Sequence, residues 1–192
     1  MTDTPERKRQ TGRATREALL AALGEVFESQ GYDGATLTQL SAATGLGKAS
    51  LYHHFPGGKS EMAAALLRDR VASLEREAFS RLKSNLPPAD KLAEFIDGFR
   101  AYVRDGERAC LIQIFGQGTA GAEHGETIAR QYADWLGRLA TTFEEGGFKP
   151  KRAQRAAAEL MASLYGYLIT ARMAGDSGAF KRQAKRLRQT LG

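Results

Sequence analysis

The stretch Thr36 to Phe55 reads TLTQLSAATGLGKASLYHHF. Its first half has the signature of a short helix. Thr36 and Gln39 stand at capping-box spacing, so the threonine hydroxyl can take the Gln39 amide proton while the glutamine reaches back. Leu37 and Leu40 face inward, and Gly45 ends the helix in the left-handed conformation that glycine tolerates. A second short helix follows from about Lys48 to His54, with Leu51 and Phe55 inward, until Pro56-Gly57-Gly58 breaks it. The second helix carries no acid. Two short helices around a glycine turn, the second presenting short or polar side chains, have the form of a helix-turn-helix that reads DNA.

Each outward residue of the second helix suits that work. Lys48 can pair with a phosphate or a guanine edge, Ser50 and His53 can donate or accept, and Ala49 permits close approach to a thymine methyl. Tyr52 suits a phosphate oxygen, and the helix N-terminus carries the positive end of the dipole. The candidate DNA contacts are therefore Arg13, Thr36, Thr38, Gln39, Gly47, Lys48, Ala49, Ser50, Tyr52, His53 and Lys59. His53 and His54 do not form a metal pair, because adjacent helical positions point about 100° apart. His54 is expected to pack against the helix that follows, and His53 to face DNA.

Around this core every segment has a helical period. Leu19, Leu20, Leu23, Val26 and Phe27 define a first helix from about Arg13 to Gln30, stopped by Gly31. From Ser60 to Ser84 there is neither Pro nor Gly, and Met62, Leu66, Leu67, Val71, Leu74, Ala78 and Leu82 mark one long helix of roughly 37 Å. After Asn85-Leu86-Pro87-Pro88, an amphipathic helix runs through Leu92, Phe95, Ile96, Phe99, Tyr102 and Val103, and Gly106 closes it. Residues 110–125, CLIQIFGQGTAGAEHG, contain four glycines and read as a short helix followed by a loop. Helical period returns from Ile128 to Phe143. Pro150 suits the first turn of a helix over about Lys151–Ala174, and a last helix spans about 178–191. The predicted fold is all-α: an N-terminal three-helix helix-turn-helix domain over 1–58 and a C-terminal helical bundle over 59–192, joined by the helix at about 60–84.

The bulk numbers narrow the function further. In 192 residues with 42% apolar and 26% charged content, no apolar run approaches the ~18 residues that span a membrane. The first residues, MTDTPERKRQTGR, lack a signal peptide's apolar region. A single cysteine, Cys110, excludes an internal disulfide framework and fits a reducing cytoplasm. Net charge is +6, distributed as +1 over residues 1–60, −3 over 61–148 and +8 over 149–192. The candidate DNA-reading segment is thus not the most basic part of the chain, and the position of charge matters more than its sum. Arg7, Lys8, Arg9, Arg13 and Arg16 lead into the first helix, and Lys48 and Lys59 flank the second short one.

The assembled string, Gly31-Tyr32, Thr36, Leu40, Gly45-Leu46 and Leu51-Tyr52-His53-His54-Phe55-Pro56-Gly57-Gly58-Lys59, resembles the DNA-binding domain of the TetR family of transcriptional regulators over about Thr15 to Leu66. The FPGGK ending, one residue longer than F-P-x-K, resembles the subgroup that includes LmrA-like and YxaF-like repressors. The resemblance implies an operator-binding domain followed by a divergent helical domain that dimerises and holds a small inducing molecule. Gly47 departs from the Ser or Thr usual as the cap there, and Ser41 and Thr44 replace the usual alanines.

Phe99, Tyr102, Cys110, Phe115, Trp135 and Tyr165 are the candidate effector contacts, since pockets between bundle helices are lined by such residues. The last two helices, about 151–174 and 178–191, carry surplus apolar surface, which calls for a partner; two from each subunit would make a four-helix homodimer interface with twofold symmetry. The implied protein is a ligand-responsive repressor on a palindromic operator, with double-stranded DNA, a small-molecule effector and a second copy as partners, and with neither cofactor nor metal. The alternative is a DNA-binding regulator without a small-molecule ligand, controlled by a protein partner or by Cys110 oxidation. No catalytic constellation or phosphate-binding loop supports an enzyme.

Overall fold

The computed structural model describes residues 5–190, with side chains from Arg16 onward. Arg7, Lys8, Arg9 and Arg13, the basic lead-in, and Leu191 at the end of the chain lie outside the described side chains. Among the described residues every regular element is helical. Nine α-helices follow in order: α1 (Pro5–Gly34), α2 (Leu37–Thr44), α3 (Lys48–His54), α4 (Gly58–Glu77), α5 (Pro88–Tyr102), α6 (Leu111–Phe115), α7 (Gly118–Glu145), α8 (Pro150–Met173) and α9 (Ser177–Gln189). Tighter 3-10 turns occupy Phe79–Lys83 and Arg104–Gly106.

The chain forms two compact units. The first contains residues 1–70 together with Leu111–Gly125; the second contains Val71–Cys110 and residues from Glu126 to the end. The start of α4 and a segment from much later in the chain thus belong to the unit that holds α1–α3.

In the first unit Leu19, Leu23 and Phe27 of α1, Leu40 of α2, Leu51 of α3 and Met62 and Leu66 of α4 are buried. Gly31 breaks the path of α1 three residues before its end and does not terminate it as the sequence suggests: at φ 69° and ψ 179° it occupies a region essentially closed to other residues. Both bonds of the capping box form, from the Gln39 amide to Thr36 Oγ1 at 3.2 Å and from the Thr36 amide to Gln39 Oε1 at 2.9 Å. Gly45 ends α2 in the left-handed conformation.

The second unit buries Phe79, Phe95, Phe99, Trp135, Leu139, Leu164 and Phe180. Pro150 takes the first turn of α8. Here two expectations are corrected. The helix from Ser60 does not run to Ser84: it ends at Glu77 and tightens into the Phe79–Lys83 turn. The cause is tertiary. Gly98 of α5 crosses so close that a β-carbon there would stand 2.0 Å from the Glu77 carbonyl oxygen. Arg138 of α7 donates to the Phe79 carbonyl at 3.0 Å, and Trp135 stacks on the Phe79 ring at 5.0 Å.

The second correction concerns residues 116–125, read as loop but helical from Gly118. Glycine weakens a helix by roughly 1 kcal/mol per residue, yet these glycines have local uses. Gly118 enters the helix at φ +58°, and a β-carbon on Gly121 would meet the Gly116 carbonyl oxygen at 2.9 Å. The Asp33 carboxylate also accepts the Thr119 amide proton at 3.3 Å, satisfying one donor of the first turn.

Candidate nucleic-acid interface

Helix α3 splits its side chains cleanly. Leu51 is buried in the first unit and Phe55 caps the helix from the same core, while Lys48, Ala49, Ser50, Tyr52, His53 and His54 are exposed. His54 therefore does not pack against α4; it stands beside His53, ring centroids 5.9 Å apart. No Asp or Glu occurs between Asp33 and Glu61, so the exposed face meets a polyanion without local repulsion.

The turn that aims α3 is held by groups that the family resemblance would not require. Ser41 Oγ donates across it to the Leu46 carbonyl at 2.5 Å, and Thr44 Oγ1 donates to the Leu40 carbonyl at 2.8 Å. Gly47 is the N-cap, extended at φ −64° and ψ 155°, with no side-chain cap bond and open space where a β-carbon would sit.

The FPGGK ending has a backbone reason. Gly58 stands at φ +63° and opens α4, and the Tyr52 ring lies 3.3 Å from where its β-carbon would be. Tyr52 is 45% exposed, its ring resting on this glycine. Glu61 accepts the Gly57 amide proton at 2.7 Å.

The remaining candidate contacts are placed differently from one another. Thr38 is exposed on α2. Thr36 and Gln39 are exposed too, but Thr36 Oγ1 and Gln39 Oε1 are engaged in the cap. Lys59 turns inward: its ammonium donates to the carbonyls of Tyr32 at 3.0 Å and Ala35 at 3.2 Å and lies 4.7 Å from the Tyr32 ring centroid. It ties the end of α1 to the start of α4, because the carbonyls freed by the break at Gly31 need donors. The side chain of Arg13 lies outside those described.

The six candidate effector contacts fall in three places. Phe99, Tyr102, Cys110 and Tyr165 cluster in the second unit. Phe99 meets Tyr165 edge-on at 5.4 Å, and the Cys110 sulfur lies 3.7 Å from the Tyr165 hydroxyl and 3.9 Å from that of Tyr102. Burial pushes the Tyr165 phenol well above its ordinary value, and Cys110 and Tyr102 add to the shift. The sequence reading missed Arg108, whose guanidinium lies over the Tyr102 ring at 4.7 Å, and Phe180, 6.4 Å from Phe99.

Trp135 sits elsewhere in that unit, fully buried on Phe79, with its indole N–H donated to Glu75 at 2.6 Å. Phe115 belongs to the first unit, edge-on to Phe27 at 5.3 Å and to Tyr32 at 6.1 Å. Among the described residues no group of His, Cys, Asp and Glu is placed to hold a metal ion, and no helix is long and apolar enough to cross a membrane.

Known proteins share both parts of the chain. The family model of the bacterial regulatory proteins of the tetR family matches residues 19–66, and that of the LmrA/YxaF-like transcriptional regulator C-terminal domain matches residues 88–186. The sequence is 25% identical to the HTH-type transcriptional regulator LmrA of Bacillus subtilis strain 168 over 172 residues, covering 85% of this chain and 89% of that one. It is 43% identical over 82 residues, 43% of each chain, to the HTH-type transcriptional regulator YxaF of the same organism. The fold matches a TetR transcriptional regulator from Chloroflexus aurantiacus J-10-FL with a TM-score of 0.77 and 24% identity, over 95% of this chain and 96% of that one. A TetR transcriptional regulator from Legionella pneumophila matches with a TM-score of 0.76 and 18% identity, over 93% and 97%. With an exposed, acid-free α3 behind a capped α2, and with both parts of the sequence matched, the chain belongs to the TetR family of bacterial regulatory proteins, in its LmrA/YxaF-like branch, and is a DNA-binding transcriptional regulator and not an enzyme.

Proposed function

We propose that the protein is a cytoplasmic, ligand-responsive repressor that binds a palindromic operator as a homodimer. The observation that carries the DNA half is the exposed face of α3, polar, basic at Lys48 and free of acid over the whole Asp33–Glu61 interval. Lys48, Ala49, Ser50, Tyr52 and His53, with Thr38 from α2, are the contacts; Thr36, Gln39 and Lys59 act by holding the module in shape. Residues 1–58 form the DNA-binding domain and 59–192 the effector and dimerisation domain, with the α6–α7 corner lent to the former.

The homodimer reading is supported by α8 and α9. Ala158, Ala162 and Thr170 are exposed at intervals that share one face of α8, and Ile169 and Met173 are 39% and 82% exposed. Small residues along a helix face allow a second helix to approach closely. Two copies joined about a twofold axis present two α3 helices, and their targets are inverted half-sites about one helical turn apart.

The effector reading is supported by the cluster of Phe99, Tyr102 and Tyr165 around Cys110, which suits an apolar or aromatic molecule. Control by oxidation of Cys110 is the weaker reading, since the thiol is buried. Selection of bound duplexes from a random pool tests the whole proposal. The expected result is an inverted repeat bound by two protomers, and Thr170→Arg should give a monomer that no longer selects both half-sites. A direct repeat, or a monomer that binds as tightly as the wild type, overturns it.

A further inference from the structure

We propose that Glu123, nearly seventy positions after α3, is a positioning residue for DNA recognition: its carboxylate fastens the α6–α7 corner to Tyr32 and Ser60 and so fixes the arm from which α2 and α3 hang. The inference rests on the DNA-reading role of α3.

Tyr32 is the hub of that arm. It follows the break at Gly31 and precedes the Thr36 cap by four residues. Its hydroxyl donates to both carboxylate oxygens of Glu123, at 3.2 and 3.1 Å, and Ser60 Oγ, in the first turn of α4, donates to Glu123 Oε2 at 2.5 Å. The Tyr32 ring is buried, with Phe115 edge-on at 6.1 Å on one side and His124 edge-on at 6.4 Å. Its carbonyl accepts from Lys59, the residue before Ser60. One residue on, the Asp33 carboxylate accepts the Thr119 amide proton. One carboxylate therefore joins the end of α1, the beginning of α4 and the second turn of α7, all within the unit that carries α3.

A surface glutamate with no task would be fully solvated and interchangeable. Glu123 accepts from two hydroxyls belonging to two different elements, and the Ser60 bond leads the causes that hold its carboxyl below the usual range, against a smaller opposing effect of burial. The bonds to Tyr32 and Ser60 restrain rotation of residues 32–35 without touching the α3 surface. What they contribute is order in the reading module, and order is worth more to base-edge contacts, which need fixed geometry, than to phosphate attraction, which does not.

The test uses the full-length protein and the duplex that the wild type enriches from a random pool. Tyr32→Phe keeps the buried ring and removes only the hydroxyl; Glu123→Ala removes the acceptor. Each should weaken binding to the enriched duplex by about three- to tenfold, the scale of an exposed charge-assisted hydrogen bond. Affinity for a random-sequence duplex should not change. The double variant should be no weaker than the weaker single one, because both remove the same bond. Ser60→Ala, on the exposed side of the carboxylate, supplies the same readout should Tyr32→Phe fold poorly. Variants that match the wild type on the enriched duplex, that lose specific and random-sequence binding together, or that combine multiplicatively overturn the proposal while leaving the DNA-binding reading intact. A wild type that enriches no sequence overturns both.

Discussion

At the scale of single residues the module is tuned by small polar groups at its turn. Ser41 and Thr44 stand where the family resemblance implies alanine, and both hydroxyls are used, Ser41 bridging to the carbonyl of Leu46 and so closing the turn. Gly47 is the converse case, a cap position left without a side-chain acceptor. Because its φ is negative and nothing lies within 4 Å of where a β-carbon would sit, a serine fits without strain. Gly47→Ser should raise stability by a few tenths of a kcal/mol, measured as a higher urea midpoint at unchanged slope. A lower midpoint would show that the glycine is needed for its backbone. Gly58 is different: at φ +63° and against the Tyr52 ring, Gly58→Ala should cost about 1 kcal/mol or more, read by the same denaturation, and an unchanged midpoint would contradict the strain.

At the scale of elements the ion pairs around α9 show how the basic end of the chain is used. Lys181 donates to Asp105 at 3.0 Å, Arg100 reaches Asp105 at 2.9 Å and Asp97 at 2.8 Å, and Arg188 reaches Asp97 at 2.8 Å. Asp105 itself is left-handed, at φ 52°. Burial works against its ionised form, but hydrogen bonds from Lys181 and Arg100 outweigh it and hold the carboxyl below its ordinary 3.8. A carboxyl lowered by folding adds stability above its unfolded value, and that stability is lost as pH falls through the folded value. Asp105→Asn, which tolerates the same backbone, should cost up to about 1 kcal/mol at neutral pH, the group being partly solvated. The gap from the wild type should close below the carboxylate range, as followed by thermal melts across pH. A gap that persists into acid would mean that the charge is not what matters. Two of the C-terminal cations, Lys181 and Arg188, are thus engaged by Asp105 and Asp97 on the α9 side.

At the scale of the whole molecule the number of reading heads decides the salt response. If Lys48 contacts one phosphate in each protomer of a symmetric dimer, Lys48→Ala should lower the slope of log affinity against log salt by about 1.8, twice the ~0.9 of a single contact. Affinity measured by anisotropy over a salt series separates the cases: a change near 0.9 indicates one engaged head, and no change removes Lys48 from the interface. In the proposed homodimer the same doubling would let a module whose own net charge is only +1 read DNA.

By itself the sequence determined the helical class, the capped α2, the left-handed Gly45, the exposed face of α3 and the family, because each depends on contacts within a few residues or on a pattern read along one helix. Tertiary packing alone decided the rest. Nothing between Ser60 and Ser84 signals a helix end, yet α4 stops at Glu77 where the backbone of Gly98 and the guanidinium of Arg138 meet it. Four glycines over residues 110–125 argue locally against a long helix there, and Asp33, Tyr32 and Ser60 override them from distant parts of the chain. Lys59 reads as a surface cation until the break at Gly31 exposes carbonyls that draw it inward. Phe115 and Trp135 have the composition of pocket residues but are taken up by Phe27 and Phe79, neighbours that no spacing in the sequence reveals. Local hydrogen bonds are written in local sequence, whereas the partners of a buried ring or an inward cation are set only when distant elements meet.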